Sequence, residues 1–224
     1  MTWTERVFRD FRLYAVTDIS RSAREAVVLS KIASAYRGGA DIVQLRSKEL
    51  SDGELYRLGV RIRALSRRFR KLFFVNDRPD IALAAGADGI HLGQDDLPVA
   101  RVRRLIRGAG RTMFVGLSTH SLLQAKRSSA QAVDYIGVGP VFATPTKPGY
   151  RPVGLGLVSR VARCPQIRVP FVVIGGIDFN NLNQVLTAGA RRVAVVRAVF
   201  QAEDPNDAAR RLRREIDRYS NARS

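Results

Sequence analysis

Short, nearly uninterrupted apolar runs recur along the whole chain, at Leu13 to Thr17, Asp41 to Leu45, Leu72 to Val75, Gly89 to Leu92, Met113 to Leu117, Tyr135 to Val138, Phe171 to Ile174 and Val193 to Val196. None alternates apolar with polar residues, so each reads as a strand covered on both faces, the signature of a parallel sheet. No tight hairpin signal joins one run to the next, and the segments between them carry helical periodicity. In the second of these segments Leu55, Leu58, Ile62, Leu65 and Phe69 step by 3, 4, 3 and 4 residues, which places them on one stripe. Ser51-Asp52-Gly53-Glu54 reads as its N-terminal cap, Pro79 and Pro98 suit first helical turns, and Gly38, Gly86, Gly108 and Gly189 follow apolar helical patterns. Eight strand-helix units without a Ser- or Pro-rich linker fit a closed (β/α)8 TIM barrel better than an open doubly wound sheet. The expectation is a single barrel domain over residues 1–224, with frayed ends at about 1–11 and 220–224.

Composition narrows the function classes. Hydrophobic residues make up 46% of the 224, enough for a core, and the single Cys164 offers neither an internal disulfide nor a Cys-based zinc site. No uninterrupted apolar stretch approaches the roughly 18 residues a membrane helix needs, and a soluble, cytoplasmic protein is expected. The 38 Lys and Arg against 20 Asp and Glu leave a net charge of +18, which points to partners that carry phosphate.

In a barrel of this kind chemistry sits at the C-terminal ends of the strands and in the loops that follow. The unusual polar residues fall there. Gln44, Arg46 and Lys48 follow the second run, Asn76, Asp77 and Arg78 the third, and His91, Gln94, Asp95 and Asp96 lie in or after the fourth. Ser118 and His120 follow the fifth, Thr144, Thr146 and Lys147 the sixth, Gly175-Gly176 the seventh and Arg197 the eighth.

Two adjacent loops each offer a carboxylate, with one Cys and two His in the whole chain, a set that favours a hard, oxygen-liking cation over zinc. Mg²⁺ suits it, because that ion takes one or two carboxylates and completes its shell with water and substrate phosphate. Arg46, Lys48 and Lys147 bring cations to the same rim, and a Gly-Gly turn after the seventh run is a usual place for a phosphate held by backbone N–H groups. Blander readings stand beside these. Asp77 or Asp96 alone could cap the next helix, Gly175-Gly176 could serve close packing, and Ser118 and the threonines could be loop-stabilising hydroxyls. His91, inside an apolar run, reads more readily as a satisfied barrel-interior histidine, whereas His120 divides evenly between a proton-handling or substrate role and a structural one. The segment from Pro140 to Val153 is longer than an ordinary βα loop and is the candidate lid.

Several motifs, in order, resemble the thiamine phosphate synthase family: VQLRSKEL from Val43, VNDRPDIALAAGADGIHLGQDDLP from Val75, GLSTHS from Gly116, YIGVGPVFATPTKPGYRPVGL from Tyr135, VIGGI from Val173 and VAVVRAV from Val193. The resemblance spans nearly the whole chain. It implies a (β/α)8 transferase that joins 4-amino-5-hydroxymethyl-2-methylpyrimidine diphosphate to a thiazole phosphate, or its carboxylated form, and releases pyrophosphate. It further implies Mg²⁺ at Asp77 and Asp96, and pyrimidine diphosphate contacts at Gln44, Arg46, Lys48, Asn76, Ser118 and Lys147. Thiazole phosphate contacts are implied at Thr144, Thr146, Gly176, Val196 and Arg197, with Arg46, Lys48, Lys147, Ser118 and His120 closest to the chemistry. One departure stands out, because the family usually has Ser where this chain has Arg197.

The expected partners are small phosphorylated substrates, with no specific nucleic acid and no membrane, and a homo-oligomer is compatible with the sequence. A thiazole tautomerase-like relative and a basic polyanion-binding protein with an inactive barrel site are the rival readings, although aromatics are only 8% and no binding module is recognised. The arginine-rich stretches at 61–71, 101–107 and 210–214 read as solvated outer helix faces.

Overall fold

The computed structural model describes residues 1–145, 149 and 151–221. Eight parallel strands close into a barrel in chain order: β1 (Leu13–Val16), β2 (Ile42–Leu45), β3 (Leu72–Asn76), β4 (Gly89–Leu92), β5 (Phe114–Thr119), β6 (Tyr135–Val138), β7 (Phe171–Ile174) and β8 (Val193–Val195). The first and last strands pair with Leu13 opposite Val193 and Tyr14 opposite Ala194. Closure leaves no exposed sheet edge.

The crossover helices are α2 (Glu25–Arg37), α3 (Asp52–Phe69), α4 (Pro79–Ala84), α5 (Val99–Gly108), α6 (Leu122–Ser129), α7 (Gly154–Ala162) and α8 (Leu182–Thr187), preceded by α1 (Trp3–Asp10) and followed by α9 (Arg197–Phe200) and α10 (Pro205–Asn221). The capping box at the head of α3 is formed, with the Ser51 hydroxyl accepting from the Glu54 N–H and the Glu54 carboxylate accepting from the Ser51 N–H. Its stripe packs as the spacing predicts: Leu55, Leu58 and Ile62 are buried, and Leu65 and Phe69 pack against the same cluster.

The strands split their side chains between two cores. Leu13, Ala15, Val43, Phe73, Val115 and Val173 face the helices, whereas Tyr14, Ile42, Leu72, Phe74, Tyr135, Val172 and Ala194 fill the barrel interior. Glycines make that filling possible. A Cβ at Gly116 would lie 2.1 Å from the Tyr135 ring, so the ring occupies volume that any other residue on β5 would claim.

The N-terminus is ordered, contrary to the expectation of a frayed end. Thr2 and Glu5 form a capping box, and Phe8 of α1 closes the bottom of the barrel, stacked on Phe114 at 3.9 Å between centroids and edge-on to Tyr135. At the other end of the chain Ser220 and Asn221 complete α10, and residues 222–224 lie outside the described residues.

The N-terminal end of the barrel also absorbs charge. Asp41, Asp88 and Asp134 precede β2, β4 and β6, and each accepts a backbone N–H from the preceding strand, at Leu13, Phe73 and Val115. Each also holds basic side chains: Lys71 and Arg213 on Asp41, Arg63 on Asp88, Arg103 on Asp134. These four cations are therefore not a solvated face, as their stretches suggested, but parts of the clamp that ties neighbouring strands together.

Candidate functional site

A cavity of about 300 Å³ opens at the C-terminal end of the barrel. Its wall takes Gln44 and Arg46 from the end of β2, Asn76 from β3, His91 from β4, Ser118 and His120 from the end of β5, Thr144 from the loop after β6, and Gly176, Val196 and Arg197 from the ends of β7 and β8. Nine of the residues singled out in sequence as site candidates thus share one wall: Gln44, Arg46, Asn76, Ser118, His120, Thr144, Gly176, Val196 and Arg197. A second cavity at the opposite end, lined by Arg63, Arg103, Arg107 and Arg111, is larger at about 550 Å³, but two of its arginines belong to the strand clamps.

Lys48, Asp77 and Asp96 ride on the loops after β2, β3 and β4, outside the wall itself, and Thr146 and Lys147 lie outside the described residues. The N-cap positions of α4 and α5 are Arg78 and Pro98, so neither aspartate serves as one. Asp77 instead adopts a left-handed backbone with φ 60, and its N–H donates to the His91 carbonyl at 2.8 Å. Such a conformation disfavours most side chains, and Asp is among the few that visit it. Asp96 accepts the Gly93 N–H at 2.6 Å, which folds the loop after β4 into a tight turn. Among the described residues no three His, Cys, Asp or Glu side chains gather into a metal cluster. Two carboxylates on adjacent loops are the kind of donor that suits a cation able to keep waters and substrate oxygens, and a poor set for zinc.

The loop after β3 carries one more surprise. Arg78, expected to present its charge at the mouth, is engaged by Asp52 and Asp80. Arg46 keeps its place in the wall: its side chain is 5% exposed and pairs with Asp18, at the end of β1. Asp18 was not singled out in sequence, although the same end-of-strand rule points to it.

Gly175 and Gly176 have φ of 110 and 64, and a Cβ on either would strike the segment after β6, at Pro140 and Ala143 respectively. Packing and cavity lining therefore coincide here. The candidate lid is pinned at its base, with Val141 N–H on the Ile174 carbonyl, Phe142 N–H on the Gly175 carbonyl and Val153 N–H returning to the Pro140 carbonyl. Residues 146–148 and 150 of this segment lie outside the described residues.

Beneath the cavity runs a polar chain. Gln44 Nε2 donates to the Tyr14 hydroxyl at 2.7 Å, the Tyr14 and Tyr135 hydroxyls are 3.2 Å apart, Tyr135 meets His91 Nδ1 at 2.8 Å, and His91 Nε2 meets Ser118 Oγ at 2.9 Å. Burial pushes both tyrosine hydroxyls well above the ordinary tyrosine range, so they stay protonated. His91 is thus a satisfied interior histidine that also reaches the cavity wall. His120 is held differently, its Nδ1 2.5 Å from the Gly139 carbonyl oxygen and its backbone N–H on Gln124.

Comparison with known proteins follows the same lines. The family model described as thiamine monophosphate synthase matches residues 13–199. A thiamine-phosphate synthase of Thermus thermophilus is 46% identical over 205 residues, covering 92% of this chain and 97% of its own. One from a Nostoc species is 44% identical over 200 residues, which cover 89% of this chain and 54% of that longer protein. Among solved structures, thiamine phosphate pyrophosphorylase from Pyrococcus furiosus superposes with a TM-score of 0.84 at 32% identity, covering 95% of this chain and 98% of its own.

Proposed function

Because the chain belongs to the thiamine monophosphate synthase family of transferases, we propose that its cavity joins 4-amino-5-hydroxymethyl-2-methylpyrimidine diphosphate to a thiazole phosphate with release of pyrophosphate, or to its carboxylated form with release of pyrophosphate and carbon dioxide. The observation that carries this reading is the meeting, in one wall, of the buried Arg46 cation with the Gly175-Gly176 and Val196-Arg197 backbone. Two anionic groups can be drawn to different sectors of one cavity of about 300 Å³.

In the proposed reaction the bond between the pyrimidine methylene carbon and the diphosphate oxygen breaks, and the pair leaves with pyrophosphate. The methylene cation is stabilised by the aminopyrimidine ring, and the thiazole nitrogen supplies the pair for the new C–N bond. Arg46 opposes the charge that builds on the leaving group, while Gln44, Asn76 and Ser118 orient the pyrimidine. Gly176, Val196 and Arg197 seat the thiazole phosphate, with Thr144 beside them. His120, tethered to Gly139, positions rather than transfers a proton. The pinned base of the loop after β6 lines the cavity at Pro140 and Thr144, where it limits the water that would trap the cation. Mg²⁺ held by Asp77 and Asp96 would supply counter-charge to the diphosphate.

The test is to mix both substrates with the protein and Mg²⁺ and to follow pyrophosphate. Release that requires the thiazole phosphate supports the reading. Isomerisation of a thiazole carboxylate phosphate without pyrophosphate would assign the cavity to the tautomerase branch instead.

A further inference from the structure

The polar chain beneath the cavity has a direction. Gln44 donates to the Tyr14 oxygen, so the Tyr14 hydroxyl hydrogen is left for Tyr135. Either hydroxyl can be the donor between the tyrosines, and in the arrangement that continues from Gln44, Tyr135 accepts from Tyr14 and gives its own hydrogen to His91 Nδ1. An imidazole that accepts at Nδ1 carries its proton on Nε2, and that nitrogen faces Ser118 Oγ. Ser118, now an acceptor toward His91, has its own hydroxyl hydrogen to offer elsewhere, and its side chain lines the cavity.

We infer that Tyr14, Tyr135 and His91 act as positioning residues, forming a one-way donor chain that fixes Ser118 as a hydrogen-bond donor to an acceptor atom of the bound pyrimidine diphosphate. The inference deepens the reaction proposed above and rests on it for the identity of the ligand. Gly116 belongs to the device, because only its missing side chain leaves room for the Tyr135 ring. The ends of the chain, Gln44 and Ser118, stand on β2 and β5, so one set of hydrogen bonds ties together two sectors of the wall assigned above to the same ligand. Reversing the Gln44 amide would reverse every link and make Ser118 an acceptor, which repels a diphosphate oxygen.

The chain has two histidines, so labelling histidine with ¹⁵N reports on two rings only. In the ligand-free protein His91 is expected as the Nε2–H tautomer, and His120 as the opposite one, because its Nδ1 donates to the Gly139 carbonyl. This measurement needs no turnover, so it decides the donor chain even if the wild-type chain released no pyrophosphate, a result that would sink the proposed reaction and the ligand assigned to Ser118 but not the chain. The kinetic arm uses Tyr135→Phe, which keeps the ring and removes the link. It should raise KM for the pyrimidine diphosphate about tenfold and leave KM for the thiazole phosphate unchanged. In a Ser118→Ala background the same substitution should add nothing. An Nδ1–H tautomer at His91, or a Tyr135→Phe effect that adds fully to that of Ser118→Ala, overturns the inference.

Discussion

Arg46 at the end of β2 pairs with Asp18 at the end of β1, and the two differ sharply in exposure, 5% for the arginine side chain against 41% for the aspartate. In the proposed reaction the buried partner carries the charge offered to the diphosphate, and the exposed partner fixes where that charge points. Removing Asp18 therefore costs orientation more than binding. Asp18→Asn is expected to lower kcat about tenfold without raising KM for the diphosphate substrate, since a repelling carboxylate leaves with it. Arg46→Ala should cost roughly 100- to 1,000-fold in kcat. Steady-state kinetics on both variants separate the two; a raised KM with unchanged kcat in Asp18→Asn contradicts the assignment.

Arg197 opens α9 and, like Gly176, lines the cavity. If it adds a charge-assisted contact to the thiazole phosphate, Arg197→Ser should raise KM for that substrate about three- to tenfold and leave the diphosphate substrate unaffected. An unchanged KM for the thiazole phosphate would remove the idea.

Phe8 shows how the bottom of the barrel is sealed. It is 8% exposed and stacks on Phe114, with Phe11 and Tyr135 at its edges. Phe8→Ala should destabilise the fold by about 3–5 kcal/mol, read from denaturant unfolding, while the wall of the cavity at the other end stays intact. A loss well under 1 kcal/mol would mean that α1 is not part of the core.

Three buried phenols, Tyr14, Tyr36 and Tyr135, are held above the ordinary tyrosine range by burial. A group whose folded pKa is raised contributes its full stability below the unfolded value and loses it as pH rises toward the folded one. Above about pH 10 each such phenol should steepen the fall in unfolding free energy by up to about 1.4 kcal/mol per pH unit. The slope should be shallower in Tyr14→Phe, measured by unfolding at successive alkaline pH values; equal slopes would show that Tyr14 titrates freely in the folded chain.

The eight strands were legible because parallel strands buried on both faces read as continuous apolar runs. That same continuity hid which residues face inward. Tyr135 and Ile136 look alike in sequence, yet one lies in the barrel interior and the other faces the helices. The polar chain through Tyr14 and Tyr135 was invisible for this reason, while Gln44, Asn76 and Ser118 at the strand ends were not. The helix at the N-terminus was missed because its charged face dominates, although Thr2 and Glu5 have the spacing of a capping box. The fate of a surface charge depends on contacts distant in sequence. Arg78 is claimed by Asp52 and Arg213 by Asp41, so part of the +18 belongs to the scaffold and not to the mouth.

Coupling of two phosphorylated substrates in one cavity underlies every role assigned to its wall. It is tested most directly by quantifying thiamine monophosphate and pyrophosphate together from the wild-type chain, with Asp77→Asn and Asp96→Asn alongside. The two products are expected in equal amounts, both falling by about 100-fold or more in either variant. Pyrophosphate without thiamine monophosphate, or neither product from the wild-type chain, would contradict it.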